Sequence, residues 1–127
     1  MVDALVRRLD ETDELENTFI FYSSDNGCHI SQHRMHPGKE CGFETDINVP
    51  LIVRGPGIPA GSVQRGPRSH TDLGPTVMKL AENPLGNHKF DGAPLDIYNE
   101  FPLRSEHAGV KFWGLGVSEG KYGYSDK

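Results

Sequence analysis

The sequence predicts an α/β fold, and two observations carry that prediction. Helix, strand, loop, strand and helix patterns follow one another along residues 2–82, an alternation that is typical of α/β domains. The two predicted strands are nearly continuous in hydrophobicity rather than alternating, which favours strands buried on both faces of a mainly parallel sheet. At 127 residues, the chain has the length of one compact domain at most.

Two helices are predicted, one near each end of this pattern. The first, over about residues 2–12, has apolar residues at i, i+3, i+4 and i+7, namely Val2, Leu5, Val6 and Leu9. The second begins where Thr71 or a neighbouring polar residue can cap it, and continues to about Glu82. Pro75 falls in its first turn, where a missing N–H does no harm. Its predicted apolar face consists of Leu73, Val77, Leu80 and Ala81.

The strands are predicted at residues 17–22 and 50–54, which are short apolar runs. Pro50 stands at the first position of the second run, where the sheet needs no N–H donor. Between the strands, residues 27–48 follow neither a helical nor a strand period. Long irregular loops in compact domains are usually functional, so we expect the functional residues in this loop and at the strand end that precedes it.

Composition and charge exclude several classes of function. The net charge of −5 argues against a nucleic-acid partner, because such binding leaves a basic footprint. No segment approaches the roughly 18 apolar residues of a membrane span, so no membrane partner is expected. The N-terminus lacks the apolar core of a signal peptide, and localisation stays open. Cys28 and Cys41 are too few for a disulfide scaffold, and we interpret both as structural.

Asp25 and Asn26 stand at the end of the first predicted strand, after Ser23 and Ser24. Ligands of open α/β sheets bind outside the carboxyl ends of strands. A carboxylate and an amide carbonyl are both hard oxygen donors, which suit Ca²⁺ or Mg²⁺. Calcium takes roughly six to eight oxygens, so two donors would be only part of a site. Because Asp-Asn-Gly is also a favoured turn sequence, the triplet taken alone fits a plain turn as well.

Several motifs in order give the chain a resemblance to the sulfatase family. They are residues 19–33, Gly38 with Lys39, residues 46–57, residues 71–76, and Asp91-Gly92 with Leu95. Lys39 stands thirteen residues after Asn26, a specific part of the match. The similarity looks closest to fungal arylsulfatases and the glucosamine-6-sulfatase branch. It covers about residues 1–100, which we interpret as the C-terminal part of a catalytic domain, and residues 101–127 as a tail that would begin a small subdomain.

The resemblance implies a fold, a reaction and roles for particular residues. Sulfatases have an alkaline-phosphatase-like α/β sandwich and hydrolyse sulfate esters with a formylglycine nucleophile and a divalent cation, usually calcium. By matching position, Asp25 and Asn26 are expected to bind Ca²⁺ or Mg²⁺, and Lys39 is expected to contact the sulfate. His29 and His33 are candidates for contact with the leaving group or for proton donation, or else plain loop residues. His36 is assigned no role.

One motif of the family is absent from the sequence. Neither Cys28 nor Cys41 begins a Cys-x-Pro-x-Arg pattern, so formylglycine is expected only on a missing N-terminal part. On this interpretation the chain is inactive alone, and its unpaired strand edges invite aggregation. Two alternatives stay open: a phosphatase or phosphonate hydrolase of the same superfamily, and a non-catalytic remnant that binds a metal or an anion. The sequence does not identify the substrate beyond a sulfate ester.

Overall fold

The structure is a computed structural model that describes residues 1–39, 42–83 and 88–99. Residues 1–54 belong to one compact unit and residues 55–99 to another. The first unit contains α1 (Val2–Glu11), β1 (Ile20–Ser23), α2 (Glu44–Ile47) and β2 (Leu51–Arg54). The second contains α3 (Leu73–Leu80). Single 3₁₀ turns at Leu15–Asn17, Gln32–Arg34 and His70–Asp72 complete the described elements. The predicted tail at residues 101–127 lies outside them.

Helix α1 confirms the first predicted helix to within one residue. Its polar face carries Asp3–Arg7 and Arg8–Glu11 ion pairs at 3.1 and 3.2 Å, which match the spacing of one helical turn. None of its residues is buried, so the apolar stripe is present as a pattern but packs only partly within the described chain. In that part of the protein, no helix has the length and hydropathy of a membrane span.

Strands β1 and β2 confirm the two predicted strands and correct their direction. They pair antiparallel, with Phe21 opposite Val53 and Tyr22 opposite Ile52. The prediction of a parallel sheet was therefore wrong for this pair, because apolar content says how deeply a strand is buried but not which way it runs. Tyr22 is 47% exposed and Ile52 61%. The described pair is thus open to solvent on one face, and not buried on both.

The ends of the strand pair are held by side-chain hydrogen bonds. Arg54 donates from Nη1 to the Leu15 carbonyl at 3.0 Å and from Nη2 to Glu16 Oε1 at 2.9 Å, which ties the turn before β1 to the end of β2. At the opposite end, the Ser23 hydroxyl donates to the Pro50 carbonyl at 2.8 Å. Leu15 is buried. The long loop therefore begins and ends at the same end of the strand pair, where Ser23 is hydrogen-bonded to Pro50.

The 3₁₀ turn His70–Asp72, which leads into α3, begins at a side-chain cap, whereas α3 itself has none at Asp72 and ends earlier than predicted. Ser69, a neighbour of Thr71, provides the cap: its hydroxyl accepts from the Thr71 N–H at 3.3 Å, and Asp72 Oδ2 accepts from the Ser69 N–H at 3.0 Å. The helix ends at Leu80. The predicted face was wrong at Val77 and at Ala81, which are both exposed, while Pro75 and Thr76 are buried. The pattern missed Thr76 because its partner is a backbone group far along the chain.

That partner is the segment at residues 91–97, which packs on α3. The Leu95 N–H donates to the Thr76 hydroxyl at 2.8 Å, and the Ala93 N–H donates to Asp72 Oδ1 at 3.0 Å. A Cβ on Gly92 would lie 2.5 Å from Asp72 Oδ1, so this close approach requires glycine. Leu95 is buried together with Ile97. The motif at residues 71–76 and the motif of Asp91-Gly92 with Leu95 are thus in contact.

Candidate functional site

The structure brings together Asp25, Asn26 and Lys39, the three residues predicted to bind cation and sulfate. Asp25 and Asn26 follow the last residue of β1. The Lys39 ammonium donates to Asn26 Oδ1 at 3.1 Å and lies 3.8 Å from Asp25 Oδ2. The Asp25 side chain is 82% exposed. We call these three residues the strand-end cluster; the Asp25 and Lys39 side chains are exposed, whereas Asn26 is half-buried.

The charge on Asp25 is stabilised by its surroundings. The backbone N–H of Asn26 donates to the carboxylate and makes the largest contribution to lowering the pKa of Asp25; the Lys39 ammonium lowers it further. The Ser24 hydroxyl also donates to Asp25 Oδ1, at 3.4 Å. A lowered pKa keeps the carboxylate ionised to a more acidic pH than usual. At neutral pH, Asp25 therefore offers a full negative charge.

The orientation of the Asn26 amide decides which of its atoms faces Lys39. The amide nitrogen donates to the Gly27 carbonyl, so the oxygen is the atom that accepts from Lys39. Asp25 and Asn26 thereby present a carboxylate and a carbonyl oxygen, the hard donors that calcium and magnesium prefer. Among the described residues, no three His, Cys, Asp or Glu side chains cluster as a metal site by themselves. The donor chemistry fits a hard cation, of which these residues would hold one side.

His29 lies in the interior of the loop and pairs with a carboxylate. It is 4% exposed, and its Nδ1 lies 2.9 Å from Oδ1 and 2.8 Å from Oδ2 of Asp46. Asp46, in α2, is 3% exposed. The sequence analysis gave Asp46 no role, because seventeen residues separate it from His29 and no local pattern joins them. One of the two nitrogens of His29 is therefore already engaged inside the protein.

Backbone contacts fold the loop back onto itself around this pair. His29 and Gly38 exchange two hydrogen bonds, at 2.9 and 3.0 Å, and the Gly27 N–H donates to the Asp46 carbonyl at 2.9 Å. A Cβ on Gly27 would lie only 2.0 Å from the Thr45 carbonyl oxygen. These contacts thus join residues 27–29 to Gly38 and to α2.

His33, His36 and Cys28 take no part in the hydrogen bonds described above. His33 is exposed and stacks on Phe43, with ring centroids 5.0 Å apart and planes inclined by 15°. Its φ of 55° is left-handed. His36 is exposed, as is the free thiol of Cys28, while Cys41 falls outside the described residues. The structure therefore brings neither His29 nor His33 into side-chain contact with the strand-end cluster.

Comparisons with known proteins give one consistent family. The family model described as Sulfatase matches residues 1–83. The chain is 54% identical over 95 residues to "Sulfatase ppz1" of Metarhizium majus, covering 75% of this chain and 22% of that protein. It is 44% identical over 95 residues to N-acetylglucosamine-6-sulfatase of Homo sapiens, covering 75% and 17%. The chain thus spans about a fifth of the length of the curated relatives it matches.

Two solved structures resemble this chain. The structure of BT4656 in complex with its substrate D-glucosamine-2-N,6-O-disulfate has a TM-score of 0.75 and 26% identity, covering 93% of this chain and 25% of that one. The phosphonate monoester hydrolase of Silicibacter pomeroyi has a TM-score of 0.70 and 27% identity, covering 76% and 19%. The small mixed α/β structure is therefore similar to parts of two larger proteins.

Proposed function

Because this chain belongs to the sulfatase family, whose members are sulfuric ester hydrolases, we propose that it supplies one side of a catalytic site that hydrolyses a sulfate ester. The observation that carries the proposal is the geometry of the strand-end cluster, in which the Lys39 ammonium lies 3.1 Å from Asn26 Oδ1 and 3.8 Å from Asp25 Oδ2. Such a cluster offers oxygen donors for a cation beside a positive charge for an anion. The full domain would be an alkaline-phosphatase-like sandwich.

Asp25 and Asn26 are the proposed ligands of a Ca²⁺ or Mg²⁺ ion. When bound, such a cation neutralises charge on the sulfate oxygens and orients the ester. The lowered pKa of Asp25 keeps its carboxylate ionised, and the hydrogen bond from Asn26 Nδ2 to the Gly27 carbonyl leaves the amide oxygen on the side that faces Lys39. These two side chains would therefore bind the ion without changing their protonation state.

Lys39 is the proposed contact for the sulfate group. An ammonium is a compact charge with three donors. The Lys39 side chain stays exposed beside Asp25. Lys39 would hold a sulfate oxygen and oppose the negative charge that develops as the S–O bond breaks. The nucleophile is assigned to neither cysteine, since neither begins the required pattern. The proposed roles of the residues in this chain are therefore ligand binding and charge stabilisation.

Binding of the two ions to the whole chain tests the first part of the proposal. In calorimetry, Asp25→Ala and Asn26→Ala are each expected to remove most of the heat of Ca²⁺ binding. Lys39→Met is expected to retain Ca²⁺ binding and to weaken binding of sulfate in the presence of Ca²⁺. Lys89→Met serves as the control, because Lys89 is an exposed lysine in the other unit. Wild-type affinity for sulfate in Lys39→Met would contradict the proposed role.

Turnover is measured in a hybrid protein, in which the 95 matched residues of this chain replace their counterparts in the Metarhizium majus sulfatase. Lys39→Met is expected to lower kcat by about 100-fold or more, the usual cost of removing one donor that stabilises transition-state charge. The assay substrates are 4-nitrophenyl sulfate and glucosamine 6-sulfate. The sugar sulfate is included because the names of the Homo sapiens relative and of the BT4656 complex both refer to a sulfated glucosamine.

A second candidate function is hydrolysis of a phosphonate monoester. The observation that favours it is the TM-score of 0.70 to the Silicibacter pomeroyi hydrolase. A cation and a lysine around a tetrahedral anion suit both reactions. The hybrid assay separates them when 4-nitrophenyl phenylphosphonate is offered beside 4-nitrophenyl sulfate: a kcat/KM that is higher for the phosphonate, and that depends on Lys39, would favour this alternative over sulfate hydrolysis.

A further inference from the structure

We propose that His29 and Asp46 are positioning residues that hold Asn26 and Lys39 at a fixed separation, an inference that rests on the proposed function. Sequence resemblance made His29 a candidate for direct chemistry. The contacts assign it another task, because they join the two residues of the strand-end cluster through the interior of the loop. Each step of that connection is a covalent bond or a hydrogen bond between described residues.

The first step joins Asn26 to Asp46. Gly27, the residue after Asn26, donates its N–H to the Asp46 carbonyl at 2.9 Å. The backbones approach so closely there that a Cβ on Gly27 would overlap the Thr45 carbonyl. The backbone that carries Asn26 therefore cannot move away from α2 without losing this contact.

The second step joins Asp46 to His29. Both carboxylate oxygens lie within 2.9 Å of His29 Nδ1, and the two side chains are 1% and 5% exposed. Buried polar groups are costly to leave without partners, so each residue fixes the other. The imidazole cannot swing toward solvent while Asp46 stays in place.

The third step joins His29 to Lys39 and closes the ring. His29 and Gly38 exchange backbone hydrogen bonds in both directions, and Lys39 is the next residue. Its ammonium reaches back to Asn26 Oδ1 at 3.1 Å. The order Asn26, Gly27, Asp46, His29, Gly38, Lys39 thus returns to Asn26. A ring of this kind sets where the lysine lies relative to the amide oxygen.

The test replaces His29 by two amides of different reach. In His29→Asn, the amide nitrogen can take the place of Nδ1 and donate to Asp46, whereas in His29→Gln it extends toward the position of Nε2. Hydrogen exchange of the full chain, resolved to single amides by mass spectrometry, then reports the Gly38 N–H. The Leu95 N–H, held by Thr76 in the other unit, is the internal control for folding.

His29→Gln and Asp46→Ala are expected to lower protection of Gly38 by about 10-fold to 100-fold, the consequence of losing a buried hydrogen bond. His29→Asn is expected to retain at least ten times more protection than His29→Gln, while Leu95 is unchanged in every variant. An unprotected Gly38 in the wild type would overturn the inference. So would equal losses in His29→Asn and His29→Gln, or losses that extend to Leu95.

Turnover in the hybrid protein gives the second readout. A positioning role predicts that kcat for His29→Asn exceeds that for His29→Gln by about tenfold or more, in parallel with the exchange data. If His29 itself transfers a proton, both amides are equally inactive, and the inference fails. The proposed function fails separately, through wild-type turnover in Lys39→Met, a result that does not depend on His29.

Discussion

Replacing Gly27 by alanine tests the close packing on which the loop depends. The new Cβ would lie 2.0 Å from the Thr45 carbonyl oxygen, and ordinary contact begins at 3.4 Å, so the backbones must separate by about 1.4 Å. That movement takes the bond from the Gly27 N–H to the Asp46 carbonyl, now 2.9 Å, beyond hydrogen-bonding distance. Overpacking costs about 1–3 kcal/mol and the lost hydrogen bond about 0.5–1.5 kcal/mol. We therefore expect the loop to open more easily by about 2–4 kcal/mol.

Hydrogen exchange measures this change directly, because local opening exposes the amides of the loop. A cost of about 2–4 kcal/mol lowers protection of the His29 and Gly38 amides by about 30-fold to 1,000-fold. Gly74→Ala is the matched control. Its Cβ would meet Phe90 at an ordinary 3.7 Å, and alanine favours the helix. Wild-type protection in Gly27→Ala, or an equal loss in Gly74→Ala, would refute the packing argument.

Three further predictions concern other contacts. Arg54→Met removes both hydrogen bonds to the turn before β1 and is expected to reduce protection of the β2 amides by about tenfold; unchanged exchange would contradict this. Thr76→Val leaves the buried Leu95 N–H without its acceptor and should expose that amide to exchange, whereas Thr76→Ser should not. Lys39→Met should raise the pKa of Asp25 in a carboxyl NMR titration, but only in part, because the Asn26 N–H contributes more.

The sign of the pH dependence follows from the same carboxyl group. A pKa that is lower in the folded chain means that the stabilisation of Asp25 is present above its unfolded pKa. It is lost as the pH falls through the folded pKa. Cation binding by Asp25 should therefore persist at neutral pH and fail only in acid, below the usual pKa of an aspartate. Because Lys39 contributes to the lowering, Lys39→Met should move that loss to a higher pH.

Local patterns predicted the elements of the fold more accurately than their contacts. The spacing of Val2, Leu5, Val6 and Leu9 predicted α1 to within one residue, since helical periodicity is a local property. The antiparallel direction of β1 and β2 was not predictable in the same way. Hydrophobic content reports burial, whereas strand direction depends on how the intervening loop returns. The burial of Thr76 likewise depends on Leu95, nineteen residues away.

In the candidate site, too, local motifs were predictable and long-range contacts were not. Motif spacing singled out Asp25, Asn26 and Lys39, and the structure places the Lys39 ammonium 3.1 Å from Asn26 Oδ1 and 3.8 Å from Asp25 Oδ2. Whether they bind a cation and a sulfate stays a prediction. The sequence could not show that His29 is buried against Asp46, because that contact forms only when α2 packs on the loop. Motifs thus identified the residues of the strand-end cluster but did not reveal the buried contact between His29 and Asp46.

The hydrogen bond between Ser23 and Pro50, at the end of the strand pair, has a consequence for the length of the loop between them. Since the hydroxyl and carbonyl are joined at 2.8 Å, the loop of residues 24–50 begins and ends at the same place. Adding residues near the exposed Ile30 would lengthen a loop whose ends are already fixed, and each doubling costs only about 0.6 kcal/mol of closure entropy. A change in the length of this segment should therefore leave the register of the two strands unchanged.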